Sequence, residues 1–204
     1  MSGARCFIVT DMKIASPRKS GRPLSFDREA ALQTAMLLFW RHGYEATSVA
    51  DLTAAMGITP PSLYAAFGDK KALFRAAVQR YANGPVTSAG IIAGAASARA
   101  AACGLLRAAA VGFTGADTPP GCLLATGAIA CSAAAADVQG ELAAIRAGIE
   151  AQLRARIDAE GLPEPAVQAA HVMAVIQGMS TLARDGAPRA RLLAVADLAL
   201  RGWP

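Results

Sequence analysis

Charged residues are scarce in this chain of 204 residues: they make up 17% of it, against 54% hydrophobic residues. Such a composition excludes disorder over most of the chain, because disordered segments are poor in apolar residues. Strand signals are also missing, since β-branched runs are short and no Asn-Gly or Asp-Gly hairpin turn fits between them. The sequence therefore predicts an all-α protein, long enough for one or two domains with a buried core.

Motifs for catalysis and metal binding are absent as well. There is no nucleophile elbow, no phosphate-binding glycine loop and no pair of metal ligands at a regular spacing. His171 has no second ligand near it in the sequence, so we interpret it as a core or interface residue. We expect no enzymatic activity, no cofactor and no metal.

Cysteines are few, and none of the four lies in a CxxC pair. In a chain of this size that usage is typical of a reduced, cytoplasmic protein.

Targeting and membrane segments are also not indicated by the sequence. The opening residues, MSGARCFIVTDM, lack the apolar core of a signal peptide, and whether the native start is Met1 or Met12 stays open. The uncharged stretch 118–136 is mostly alanine and opens with prolines, which is a poor match to a membrane-spanning helix.

Basic charge is confined to the first part of the chain. Residues 1–80 hold 11 Lys and Arg against 6 Asp and Glu, whereas residues 81–204 hold 9 of each kind. This asymmetry indicates a polyanionic partner, such as double-stranded DNA, for the N-terminal part only. The neutral, apolar remainder argues against a non-regulatory DNA-organising protein, because it adds no DNA-binding surface.

Helical periodicity and turn residues divide the chain into three segments. Residues 1–24 are rich in Lys, Arg, Ser, Gly and Pro and are predicted to be a flexible basic arm. Residues 25–84 show short helices with Gly43 and Gly57 as stops, and the run Asn83-Gly84-Pro85 breaks the chain. Residues 85–204 are predicted to form helices at 88–114, 121–135, 137–160, 164–185 and 188–202.

Residues 48–67 have the pattern of a helix-turn-helix. Ser48 is placed to cap the first helix with Asp51 three residues on, and Gly57 ends that helix. Thr59 is a good N-cap for the second helix, and Pro60 fits its first position. Such a motif presents the N-terminal end of its second helix to the DNA major groove.

The segment 25–81 resembles the TetR family of bacterial transcriptional regulators (TetR/AcrR type). The family pattern is Ala-x(3)-Phe-x(3)-Gly-Tyr-x-x-Thr-Ser, then Gly-Ile, then Leu-Tyr-x-x-Phe-x-x-Lys-x-x-Leu. The matching residues are Ala35, Phe39, Gly43, Tyr44, Thr47, Ser48, Gly57, Ile58, Leu63, Tyr64, Phe67, Lys70 and Leu73. The resemblance implies an N-terminal three-helix DNA-binding domain and a C-terminal helical domain for effector binding and dimerisation.

The resemblance also implies roles for individual residues. Phosphate contacts would come from Thr47, Ser48, Tyr64 and Lys70, and base contacts from Thr59, Pro61, Ser62 and Ala65. Tyr64 has a competing interpretation as a plain core residue. Many members carry Tyr or His before the family Phe, where this chain has Ala66, so the arm is expected to contribute more to affinity.

The C-terminal segment is expected to bind a small, hydrophobic effector and a second copy of the chain. In the family the last two helices of each subunit form a four-helix dimer interface. Ala170, Ala174, Gly178 and Met179 form a stripe of small and apolar side chains suited to such an interface, although an ordinary intrachain core is the alternative.

A second regulatory hypothesis is a thiol-based repressor that senses oxidants or electrophiles through Cys122 or Cys103. Cys122 follows Pro119-Pro120-Gly121 near a predicted helix start, where a thiolate is stabilised. No Lys, Arg or His lies within ten residues of it on either side. A buried, inert cysteine is therefore the favoured interpretation.

Overall fold

The computed structural model describes residues 26–203, and within them it is built from α-helices without β-strands. The predicted basic arm, 1–24, lies outside the described residues. In chain order the helices are α1 (Arg28–Ala46), α2 (Val49–Met56), α3 (Pro60–Phe67), α4 (Lys70–Ala82), α5 (Ser88–Gly94), α6 (Ala98–Gly112), α7 (Leu123–Thr126), α8 (Ala136–Ala159), α9 (Pro165–Arg184) and α10 (Arg189–Ala199). A 3-10 helix at Ala133–Ala135 leads into α8.

Helices α1 to α4 enclose an aromatic core. The side chain of Asp27 caps α1 by accepting hydrogen bonds from the backbone N–H groups of Glu29 and Ala30. The ring of Phe39 is edge-on to that of Phe74, with 5.0 Å between the ring centroids. Large buried rings stabilise a small helical unit strongly, because each removes a wide apolar area from water.

Gly43 ends the regular part of α1, as the sequence predicts. Its backbone angles, φ 82° and ψ 172°, are non-helical, and a short second turn continues to Ala46. Only glycine adopts these angles without strain. The kink turns the N–H of Tyr44 toward the C-terminal part of the chain, where it donates to the carbonyl of Gly127 over 2.7 Å.

The prediction of one helix over 88–114 is wrong. The chain leaves the helical conformation at Ala95, whose ψ is 144°, and α6 starts anew with the hydroxyl of Ser97 accepting from the N–H of Ala100. The two helices then pack against each other as a hairpin. Alanine-rich periodicity cannot locate such a break, since a serine N-cap inside a helical pattern is a weak signal.

The prediction of a helix over 121–135 is also wrong for most of its length. Only α7, four residues long, and the 3-10 turn are helical there. The polar groups of the intervening backbone are directed to α1: Gly127 accepts from Tyr44, and Ser132 donates to the carboxylate of Glu45. Tertiary hydrogen bonds override the helix propensity of the alanines.

The last three helices agree with the prediction to within a few residues, and α9 separates into two faces. Met179 is fully buried against the rest of the chain, so it belongs to the intrachain core rather than to the small-residue stripe. Ala170, Ala174 and Gly178 are exposed. By length and hydropathy α9 is also apolar enough to cross a membrane. Of the 18 residues in its most apolar stretch, 33% are buried within this chain.

Candidate nucleic-acid interface and effector cavity

The helix-turn-helix is held by the predicted caps. The hydroxyl of Ser48 accepts from the N–H of Asp51 over 3.0 Å, and the carboxylate of Asp51 accepts from the N–H of Ser48 over 2.9 Å. This reciprocal pair is a capping box. Gly57 ends α2 in the left-handed conformation, with φ 66°. Thr59 then caps α3 by accepting from the N–H of Ser62.

One face of α3 is buried and the opposite face is open. Leu63 and Phe67 are buried in the core, whereas Tyr64 is 50% exposed. The structure therefore excludes the interpretation of Tyr64 as a core residue. The residues expected to read bases lie at the start of the same helix, with Thr59, Pro61 and Ala65 exposed and Ser62 half-buried.

Thr47 lies in the interior rather than on this surface. Its side chain and backbone together are 1% exposed, and its hydroxyl donates to the carbonyl of Gly43 over 2.6 Å. A buried hydroxyl that is already bonded cannot reach a phosphate unless the local backbone rearranges. Ser48, the next residue, is exposed.

The two lysines at the start of α4 have different surroundings. The ammonium of Lys70 lies 4.3 Å from the centroid of the Tyr44 ring, and burial lowers the pKa of Lys70 although Glu45 acts in the opposite direction. The ammonium of Lys71 donates to the carbonyl of Ala134 and to the carboxylate of Asp137, each over 2.8 Å. Lys71 is thus engaged within the chain, whereas Lys70 has only a ring beneath it and no carboxylate within 4.0 Å among the described residues.

Helix α1 is joined to the C-terminal part by hydrogen bonds to backbone groups. The indole N–H of Trp40 donates to the carbonyl of Gly121 over 3.0 Å, and this bond is buried. The guanidinium of Arg184 on α9 donates to the carbonyl of Trp40 over 2.6 Å. The bonds from Trp40 to Gly121 and from Tyr44 to Gly127 fix the end of α1 against residues 121–134, and the bond from Arg184 fixes it against α9.

A cavity of about 510 Å³ lies among α4, α5, α6, α8 and α9. Its walls are mainly apolar, and α1 reaches it through Trp40, whose ring is edge-on to that of Tyr81 at 4.8 Å between centroids. A volume of this size is typical of small-molecule sites. Apart from Cys122, the sequence did not point to the lining residues, because they come from helices that are far apart in the chain.

Cys122 lines the cavity but does not have the properties of a reactive thiol. It is 8% exposed, and burial raises the pKa of its thiol although the hydroxyl of Tyr81, 3.3 Å from the sulfur, acts in the opposite direction. The thiol-sensor hypothesis needs a lowered pKa at this residue, which is the opposite of what burial produces. The structure also brings in Arg146, a cation that the search along the sequence missed. Cys103 is half-buried on α6.

Comparisons with known proteins agree with this architecture. Residues 31–77 match the family model described as bacterial regulatory proteins, tetR family. The HTH-type transcriptional repressor ComR of Escherichia coli (strain K12) is 37% identical over 206 aligned positions, which span 97% of this chain and 98% of that protein.

The chain belongs to the TetR family.

Two further comparisons, one of sequence and one of structure, show which parts of the chain are similar to known regulators. The repressor BdcR of Escherichia coli (strain K12) is 48% identical over 64 residues, about a third of either chain. The solved structure of the TetR family regulator CifR, a cysteine mutant complexed with a 26-bp double-strand operator DNA, superposes with a TM-score of 0.83 at 41% identity. That comparison covers 90% of this chain and 100% of CifR. The present chain is a DNA-binding transcriptional regulator with the all-helical TetR fold.

Proposed function

We propose that this TetR-family chain is a cytoplasmic, non-catalytic repressor that binds a palindromic operator as a homodimer and leaves it when a small molecule enters the cavity. The observation that carries the proposal is the open face of α3, where Tyr64 is half exposed between two buried neighbours of the same helix. An exposed aromatic with a polar tip, on a helix whose N-terminal end is exposed, suits a phosphate backbone and a groove. ComR, named as a repressor, supports the regulatory direction.

In this proposal the phosphate contacts come from Ser48, Tyr64 and Lys70, and Thr47 is left out because it is buried. The start of α3, with Thr59, Pro61, Ser62 and Ala65, enters the major groove. The arm 1–24 adds non-specific affinity through its positive charge. The domain bounds are 25–84 for the DNA-binding domain and 85–204 for the effector and dimerisation domain.

The exposed small residues of α9 are the proposed centre of the dimer interface, with α10 beside them. Val167 is 61% exposed on α9 and Leu198 is 60% exposed on α10. Large apolar side chains at that exposure gain stability when a second copy covers them. A two-fold dimer would place two copies of α3 about 34–36 Å apart, one turn of DNA.

The effector acts by mass action in this mechanism. A molecule that fits the cavity better in one spacing of the dimer than in another shifts the population by its difference in affinity. Trp40 and Tyr81 connect the cavity to α1 and α4, and these two helices pack against α2 and α3 of the helix-turn-helix. A ligand that contacts both rings can therefore shift α1 and α4, and with them the DNA-binding surface.

Selection of bound duplexes from a random pool tests the DNA-binding part of the proposal. We expect enrichment of a palindrome with half-sites about one helical turn apart. Ala65→Glu, which puts a negative charge on the open face of α3, should abolish binding to the selected duplex. Ala143→Glu is the matched control, because Ala143 is an exposed alanine on α8 away from that face. Enrichment of no sequence, or equal binding of both variants, contradicts the proposal.

A further inference from the structure

The described residues that line the cavity include one charged side chain, which is basic, and no acidic one. Among the described residues that line it, Arg146 carries a positive charge, while the other polar side chains are neutral: Tyr81, Asn83, Thr87, Ser88, Cys122, Gln152 and Gln177. The walls are otherwise aliphatic or aromatic. An apolar cavity that contains a single cation binds an anionic ligand in preference to a neutral or cationic one.

Arg146 retains unused hydrogen-bonding capacity. Its Nη1 donates to the carbonyl of Leu124, and no carboxylate lies within 4.0 Å of it among the described residues. Its Nε and Nη2 have no acceptor in that part of the chain. Arg156 on the same helix differs, because its Nε donates to the carboxylate of Glu160 over 3.0 Å.

Neighbouring groups do not neutralise the guanidinium. Burial raises the pKa of Cys122 and of Tyr81, so the thiol and the phenol beside the cavity stay protonated and uncharged at neutral pH. A half-buried arginine without a counter-ion gains most from a ligand that supplies one. The planar guanidinium offers two adjacent N–H groups in the geometry that a carboxylate accepts.

We propose that the effector is an apolar carboxylic acid whose carboxylate pairs with Arg146 and whose hydrocarbon or aryl body fills the cavity toward Trp40. This inference rests on the proposed function, because it identifies the chemical class of the molecule that enters the same cavity. The carboxylate supplies the missing counter-ion, and the apolar body displaces water from the aliphatic and aromatic walls.

Calorimetric titration with matched acids and alcohols tests the proposal. The probes are decanoate, cinnamate and naphthoate, each paired with the primary alcohol of the same skeleton: decanol, cinnamyl alcohol and naphthalenemethanol. We expect at least one acid to bind the wild-type dimer at least about tenfold more tightly than its alcohol, because a charge-assisted pair is lost with the alcohol. Equal binding within every pair, or no binding of any acid, overturns the proposal.

Two variants assign the preference to Arg146. Arg146→Met should lower the affinity for the acid by about tenfold or more and leave the affinity for the alcohol within a few-fold. Arg154→Met, the same change at an exposed position of α8, is the control and should bind both like wild type. Unchanged acid binding by Arg146→Met overturns the assignment, and unchanged alcohol binding shows that the variant is folded.

Release of the selected operator duplex separates this proposal from the proposed function. If the alcohols release DNA and the acids do not, effector control stands and the acid class is wrong. If the protein selects no operator, the proposed function fails whatever the titrations show. Release by an acid in wild type and retention in Arg146→Met support both.

Discussion

Lys70 and Lys71 are neighbours with the same charge, and they give a direct test of which lysine contacts DNA. Lys70→Ala should weaken binding to all sequences alike and reduce the slope of log K against log salt by about 1, because one phosphate loses its cation. Lys71→Ala is the control: its ammonium is already bonded to Asp137, so the slope should not change. A change of base preference in Lys70→Ala with an unaltered slope contradicts the phosphate contact.

Tyr64 tests a second phosphate contact, one made by an uncharged side chain. Tyr64→Phe removes one hydroxyl from an exposed ring, so the free energy of unfolding should change by less than about 0.5 kcal/mol. Affinity should fall for every duplex without a change in salt slope, since no counterion release is lost. Full retention of affinity would show that the hydroxyl does not touch DNA.

A test at Cys122 distinguishes release of DNA by ligand binding from release by oxidation of a thiol. Because burial keeps the pKa of this thiol above its ordinary value, it stays protonated at neutral pH and should react slowly with hypochlorite or a quinone. In a gel-shift titration, wild type and Cys122→Ser should respond alike to either reagent. Rapid release of DNA by wild type and retention by Cys122→Ser would favour the redox mechanism at this residue.

Residue roles were predictable from the sequence where they depend on near neighbours. The caps at Ser48 and Thr59 follow from residues three positions apart, and the structure confirms both. The burial of Thr47 and the approach of Arg146 to Cys122 depend on contacts between distant segments. No local pattern encodes such contacts.

At the scale of the helices, Gly43 in α1 is the position whose backbone angles most strictly require glycine. Gly43→Ala should lower the free energy of unfolding by about 1–3 kcal/mol, because alanine is strained at these angles. Its Cβ would also lie 3.3 Å from the carbonyl oxygen of Gly127. Gly148→Ala is the control: it lies within α8 with open space around it, so helix propensity should raise stability by up to about 1 kcal/mol. Urea unfolding of both variants checks the difference.

The contact between Glu45 and Ser132 predicts a pH dependence for the junction of α1 with residues 121–134. Hydrogen bonds from the hydroxyl and the backbone N–H of Ser132 lower the pKa of Glu45 below its ordinary 4.5. The stabilisation is therefore present above that value and is lost as pH falls through the lowered pKa. Glu45→Gln should be less stable than wild type at neutral pH, and the two should converge in acid.

Urea midpoints measured across pH decide this prediction. Glu150→Gln is the control, since Glu150 makes no hydrogen bond or ion pair with the described residues. A stability difference between wild type and Glu45→Gln that persists unchanged in acid would exclude the assigned contact.

At the scale of elements, the long helices were predictable and the short ones were not. α8 and α9 show apolar periodicity over many turns, so their bounds differ from the prediction by one residue at each end. The breaks at Ala95 and after Thr126 occur in alanine-rich sequence, where helix propensity is uniform and tertiary hydrogen bonds decide the path. The cavity depends on those breaks, so it could not be derived from the sequence.

At the scale of the whole molecule, the dimer interface can be tested at Gly178. A Cβ at this position would meet no atom within 4 Å apart from its own turn of helix, and Gly178 is exposed, so Gly178→Arg should fold as a monomer. In the proposed dimer the same arginine would be a buried, unpaired charge, and multi-angle light scattering should show dissociation. Gly148→Arg, at an equally open glycine of α8, should remain dimeric. A Gly178→Arg dimer of unchanged stability would place the interface elsewhere.

The junction between α1 and residues 121–134 bears on how such regulators diversify. Two of its acceptors are the main-chain carbonyls of Gly121 and Gly127, which every amino acid provides, and the third is the side-chain carboxylate of Glu45. Substitutions at positions other than Trp40, Glu45 and these glycines can therefore accumulate without erasing the two carbonyl acceptors, provided the backbone path is kept. A lineage can then acquire a new operator preference on one side and a new inducer on the other as separate historical events, and engineered hybrids should tolerate exchanged surfaces better than altered chain paths.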